Sequence, residues 1–116
     1  MAITVTSPNT TVGFIKNANS ADASGCEEII ATPGAGKYFE ISKVTISSDS
    51  AISVTLGSGE TAGAVTTALL GPVTFAAGQC IDWVFNPPMR SVVNKSLTVD
   101  ASAGGNINVF VQGKTK

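Results

Sequence analysis

Apolar and polar residues alternate in short runs along this chain. Ile3 and Val5 alternate with Thr4 and Thr6, and Ile52, Val54 and Leu56 with Ser53 and Thr55. Ile81, Trp83 and Phe85 are in phase on either side of Asp82 and Val84. Leu97, Val99 and Ala101 flank Thr98 and Asp100, and Ile107, Val109 and Val111 flank Asn108 and Phe110. Period two places successive side chains on opposite faces, so each run predicts a strand with one face on a core. No window keeps the three-and-four apolar spacing of a helix.

Turn chemistry separates the runs: Ser7-Pro8-Asn9, Ala23-Ser24-Gly25, Thr32-Pro33-Gly34-Ala35-Gly36, Ser48-Asp49-Ser50, Gly57-Ser58-Gly59, Ala77-Gly78, Asn86-Pro87-Pro88 and Gly104-Gly105-Asn106. The spacing predicts an all-β, single-domain β-sandwich or jelly roll of about eight or nine short strands. Residues 1-14 form an N-terminal arm and first strand in this reading, and residues 15-116 form the sandwich. In YFEISKVTISS the pair Phe39 and Ile41 has one parity and the pair Val44 and Ile46 the other. That slip predicts a bulge near Ser42-Lys43, in a strand long enough to bend and serve both sheets. Gly59 to Leu70 reads either as a long loop ending in a short strand or as a helical turn.

Composition narrows the function. Of 116 residues, 13% are charged, against roughly 25% in an average chain. Ser and Thr supply 25 residues and Gly 12 more. Hydrophobic content of 43% with a net charge of -1 argues for a packed domain rather than disorder. Seven basic residues, only Arg90 among them an arginine, offer no field for phosphates, so no nucleic-acid partner is expected. There is no His, which removes His-based general bases, triads and metal ligands. No apolar run matches a membrane helix, and the N-terminus lacks the cationic and apolar regions of a signal peptide, so neither membrane nor secretion is expected.

The remaining motifs carry little chemistry. PGAGKY has Ala31 and Tyr38 where a phosphate loop needs Gly and a hydroxyl residue, and reads as a glycine-rich hairpin. Glu27 and Glu28 are adjacent, so in a strand they point apart and cannot act as a pair. Cys26 and Cys80 form no metal motif and read as free thiols in a reducing compartment. No catalytic residue, metal site or cofactor is expected. Trp83 has core parity. Phe110 has the opposite parity, beside Asn108 and Gln112, and reads as covered by a loop or arm, or as an anchor in a subunit interface. Pro87 and Pro88 stiffen a loop from which Met89 and Arg90 can project, and both residue types are enriched at interfaces.

The segments YFEISKVTISSDSAISVTLGSG and LLGPVTFAAGQCIDWVFNPPMRSVVNKSLTVDASAGGNINVFVQG resemble, in the order of their strands and turns, small bacteriophage virion proteins. The shared features are an aromatic-x-Ile strand, a Gly-Pro before a short strand, an Ala-Ala-Gly turn and a closing Val-x-Val-x-Gly strand. The likeness spans Lys37 to Gly113, about two-thirds of the chain. It implies a head decoration (cement) protein: a homotrimer on the capsid exterior, assembled in the host cytoplasm. It further implies binding to the major capsid protein where its subunits meet, with no enzymatic activity. The rival expectation is a tail or fibre module that binds a receptor or a carbohydrate.

Overall fold

The computed structural model describes residues 3–6, 13–20 and 25–116. Among these residues every regular element is a strand: β1 (Ile3–Thr6), β2 (Phe14–Ser20), β3 (Gly25–Ile30), β4 (Phe39–Ser48), β5 (Ser53–Thr61), β6 (Ala64–Thr74), β7 (Gln79–Arg90), β8 (Leu97–Ala101) and β9 (Ile107–Thr115). The turns expected at Ser7-Pro8-Asn9 and at Ala23-Ser24 lie outside the described residues.

The strands form two antiparallel sheets, one ordered β1-β2-β9-β4-β7 and the other β3-β8-β5-β6. Without β1 this is jelly-roll order. The chain behaves as one long hairpin closed at the β5–β6 turn, with β2 beside β9, β3 beside β8, β4 beside β7 and β5 beside β6. Rolling that hairpin sends successive pairs to alternate sheets. The protein is thus an all-β, two-layer sandwich, as the alternation predicts.

The core lies between the sheets. The five-stranded sheet contributes Phe14, Ala18, Phe39, Ile41, Val44, Ile46, Ile107, Val109 and Val111. The four-stranded sheet contributes Ile29, Val54, Leu56, Leu97, Val99 and Ala101. Phe14, at the end of the expected arm, opens β2 and meets Phe39 edge-on, with ring centroids 5.6 Å apart. Edge-on contact sets a ring's positive rim against the other's negative face.

The bulge expected in β4 is present. The register with both neighbours shifts between Ile41 and Lys43. An extra residue there restores inward parity, so Phe39, Ile41, Val44 and Ile46 all reach one core. The strand does not, however, serve both sheets: β4 pairs with β7 and β9 along its whole length.

Four local expectations are corrected. PGAGK is no hairpin, because β3 and β4 belong to opposite sheets and the segment crosses between them. Gly57-Ser58-Gly59 is not a turn but the buried middle of β5, where the missing side chains matter: a Cβ on Gly57 would run into Val65 and lie 2.6 Å from the Thr67 carbonyl. Gly59 to Leu70 is neither loop nor helix. It is the β5–β6 hairpin, with Thr61 opposite Ala64 and positive φ at Ala62 (52°) and Gly63 (79°), the type I′ geometry whose twist suits a hairpin. Asn86-Pro87-Pro88 lies within β7 rather than in a loop. Proline lacks the N–H a central strand needs, and β7 tolerates two prolines because it is an edge strand interrupted there by a register break.

Candidate functional site

The outer face of the five-stranded sheet collects most of the residues singled out for binding. Its register sets side chains in rows across the strands. One row runs Asn19, Asn108, Ser47, Cys80. The next runs Asn17, Phe110, Thr45, Asp82, and the third Ile15, Gln112, Lys43, Val84. Lys114, Glu40 and Arg90 make the last. These positions face outward because their neighbours in each strand fill the core.

Phe110 stands in the middle of this lattice. It is half-buried, and it is the ring that outward parity predicted. The Lys43 ammonium lies 6.0 Å from its centroid, at the outer limit for attraction to the ring's negative face. The Thr45 hydroxyl donates to the Asp82 carboxylate, which occupies one acceptor of the only acid in the central rows. The fully charged row, Lys114–Glu40–Arg90, borders the face at one end. The face therefore centres on one aromatic ring, with Asp82 in its row and Lys43, opposite in sign, in the next, and carries its fully charged row at one end.

A groove of about 310 Å³ is cut into the same face between the third and last rows. Phe14, Ile15, Glu40, Pro88, Gln112 and Lys114 line it. Pro88 thereby joins the surface that carries Phe110, and Pro87 beside it is exposed. Met89 does not project. It pairs with Ile41 and packs against the core, because it shares the parity of Ile81, Trp83 and Phe85. Arg90 lies over the Tyr38 ring, 5.1 Å from its centroid, so its guanidinium is held against its own chain at the rim. Trp83 packs against the core as its parity predicts, but remains partly exposed.

The acids are dispersed over the surface. Asp49 accepts from the Asn106 backbone N–H at 2.8 Å and from the Asn106 amide at 2.8 Å, and takes a third bond from the Ser50 hydroxyl. Those donors, Asn106 first, hold its carboxyl below the ordinary value. On the outer face of the other sheet, burial and then the Glu60 charge push Asp100 up. Burial likewise raises the Cys26 thiol. Cys26 and Cys80 are unpaired, on β3 and β7. Among the described residues no three His, Cys, Asp or Glu side chains gather closely enough to hold a metal ion. No described helix is long and apolar enough to cross a membrane.

Sequence reasoning missed two features of this site. The groove depends on the break between Val84 and Met89 in β7, for which the Pro-Pro pair was the available signal. The Arg90–Tyr38 contact joins residues from two different strand ends and has no local signature. The chain matches no model of a known protein family, and no curated protein sequence matches it.

Proposed function

We propose that this protein is a non-enzymatic structural component of a virion. It acts as a decoration protein that binds the exterior of a capsid shell at the junctions of the major capsid protein, through the outer face of the five-stranded sheet. The observation that carries the reading is that face: a lattice rich in Asn, Ser, Thr and Gln around Phe110, in which Lys43 and Asp82 offset each other and the remaining charges lie in one row at its end. Small neutral side chains are covered at little cost, whereas unpaired charges are expensive to bury. Phe110 supplies the anchor, and the groove beside Pro88 can receive one apolar side chain of the shell. The jelly roll itself is an architecture that capsid and lectin domains share. The lectin alternative needs a free aromatic face for the sugar ring. Trp83 packs inward and Arg90 covers Tyr38, so a sugar ring would have Phe110 alone to stack on, which favours the shell.

The test is co-sedimentation with isolated capsid shells at low and at high salt. The protein pellets with the shells, and binding weakens little as salt rises, because a neutral contact is poorly screened. Protein that stays in the supernatant with shells, yet pelleted with an insoluble polysaccharide, would sink the proposal in favour of a carbohydrate-binding module.

A further inference from the structure

Among the described residues, apolar side chains are covered on one side of the sandwich and partly bare on the other. On the β2/β3 side, Phe14, Ala18 and Ile29 are buried. Among the described residues eight hydrophobic side chains pack on the core yet stay partly exposed, and seven of them belong to β6 and β7: Leu69, Leu70, Val73, Ile81, Trp83, Phe85 and Met89. Both strands are edges, one from each sheet, joined by the short Phe75–Gly78 connection, so their bare edges lie on the same side. Val84, next to this side, is 75% exposed.

Charge is missing there as well. Between Glu60 and Arg90 the chain carries one charged residue, Asp82. Natural edge strands are guarded by lysines, prolines, bulges or shortness. In β7 the prolines come late, at Pro87 and Pro88. The run Gln79–Phe85 has one charge, Asp82, whose carboxylate accepts from the Thr45 hydroxyl on the outer face, and its outer row of backbone N–H and C=O groups faces away from β4.

We infer that this partly bare side pairs with a second copy of the chain, β7 antiparallel to β7, joining the two five-stranded sheets edge to edge. A bare strand edge is its own complement across a two-fold axis, so a second copy supplies the matching edge by construction. The size also fits. The run Gln79–Asn86 gives a pairing about 27 Å long, and two sheets with their side chains give it a depth of about 20 Å. That is roughly 540 Å² per copy, just above the 500 Å² or so per copy that a specific interface needs. Pro87 and Pro88 stop the pairing at Asn86, which fixes its length. Trp83 and Phe85 are the large rings that the pairing covers. The contact leaves the Phe110 face free and does not depend on shell binding.

The experiment measures mass by light scattering and sedimentation from 1 to about 100 μM, without any shell present. The wild-type chain runs at twice its 11.7 kDa mass. Val84→Lys and Ala68→Lys place charge at exposed positions of β7 and β6, where a folded monomer tolerates it. Each weakens the dimer at least about tenfold, while circular dichroism stays that of the wild type. In the wild type, hydrogen exchange slows at Gln79–Phe85 as concentration rises. Phe110→Ala leaves the mass unchanged. A wild-type monomer at 100 μM overturns the inference, and so does a dimer or trimer whose mass neither lysine changes.

Discussion

Gly113 on β9 lies directly against the carbonyl of Glu40 on β4, so close that a Cβ at Gly113 would collide with it. The approach occurs where β4 bulges, as the register passes from Ile41 opposite Gly113 to Lys43 opposite Gln112. Backbone lies on both sides of the contact, so no side chain can swing away. Gly113→Ala is expected to cost about 2–3 kcal/mol by forcing the strands apart at the bulge. Urea denaturation checks it: the midpoint falls with little change in slope.

Asp49 and Asp100 are expected to act on stability with opposite sign. Asp49 has a lowered folded pKa, so its bonds to Asn106 stabilise the fold above the ordinary aspartate value of about 3.9. That contribution is lost as pH falls through the lower, folded value. Asp100 has a raised folded pKa, so the fold is favoured when it is protonated and loses that advantage as pH rises through the raised value. At pH 7, Asp49→Ala lowers the melting temperature and Asp100→Asn raises it. The Asp49→Ala difference shrinks as pH falls through the lowered, folded value, and thermal melts across the acid range read both effects.

Ala62 occupies the first left-handed position of the β5–β6 turn at φ 52°, which suits Asn or Gly better than Ala. Asn tolerates this conformation through local hydrogen bonds of its side chain. Ala62→Asn is expected to stabilise the protein by about 1 kcal/mol, because the Asn-Gly pair then matches a type I′ turn. A higher urea midpoint with an unchanged slope is the expected readout.

Phe110 separates binding from folding. Its ring is on the outer face, and truncation removes little of the core. Phe110→Ala is expected to leave the melting temperature nearly unchanged. It should weaken shell binding by about 2 kcal/mol, roughly 30-fold in Kd. A titrated co-sedimentation assay measures it, and an unchanged Kd would place the contact elsewhere.

Strands with clean alternation were legible because burial on one face leaves a period of two in the sequence. β5, β7, β8 and β9 fall in this class, and the parity slip in YFEISKVTISS located the β4 bulge. Less could be read from β2, β3 and β6. In β2, Lys16 sits opposite the core residue Val111, which breaks the apolar series between Phe14 and Ala18. The register of β3 slips around Ile29. Glycines in the middle of β5 resemble a turn until Val65 and Thr67 are seen packed against Gly57. The outward aspect of Phe110 was readable from parity alone, whereas Met89, which shares the parity of Ile81, Trp83 and Phe85, was hidden because Asn86-Pro87-Pro88 read as a loop rather than as part of β7.

By itself the sequence determined the all-β class, most strand phases, and the shortage of charge and absence of histidine that turn the reading away from His-based catalysis. These follow from local chemistry: which side chains leave water, which backbone angles a residue allows, and which groups can ionise. Only the tertiary structure decided which strands became neighbours, because pairing in a jelly roll joins residues far apart in the chain. It decided that Phe110 and Pro88 share a face, that Arg90 lies over Tyr38, and that the apolar residues of β6 and β7 border a partly bare side. The low charge had a general meaning in the sequence. Its location on one edge of the sandwich became visible when the two sheets packed, which among the described residues covers apolar side chains on the β2/β3 side and leaves them partly bare on the other.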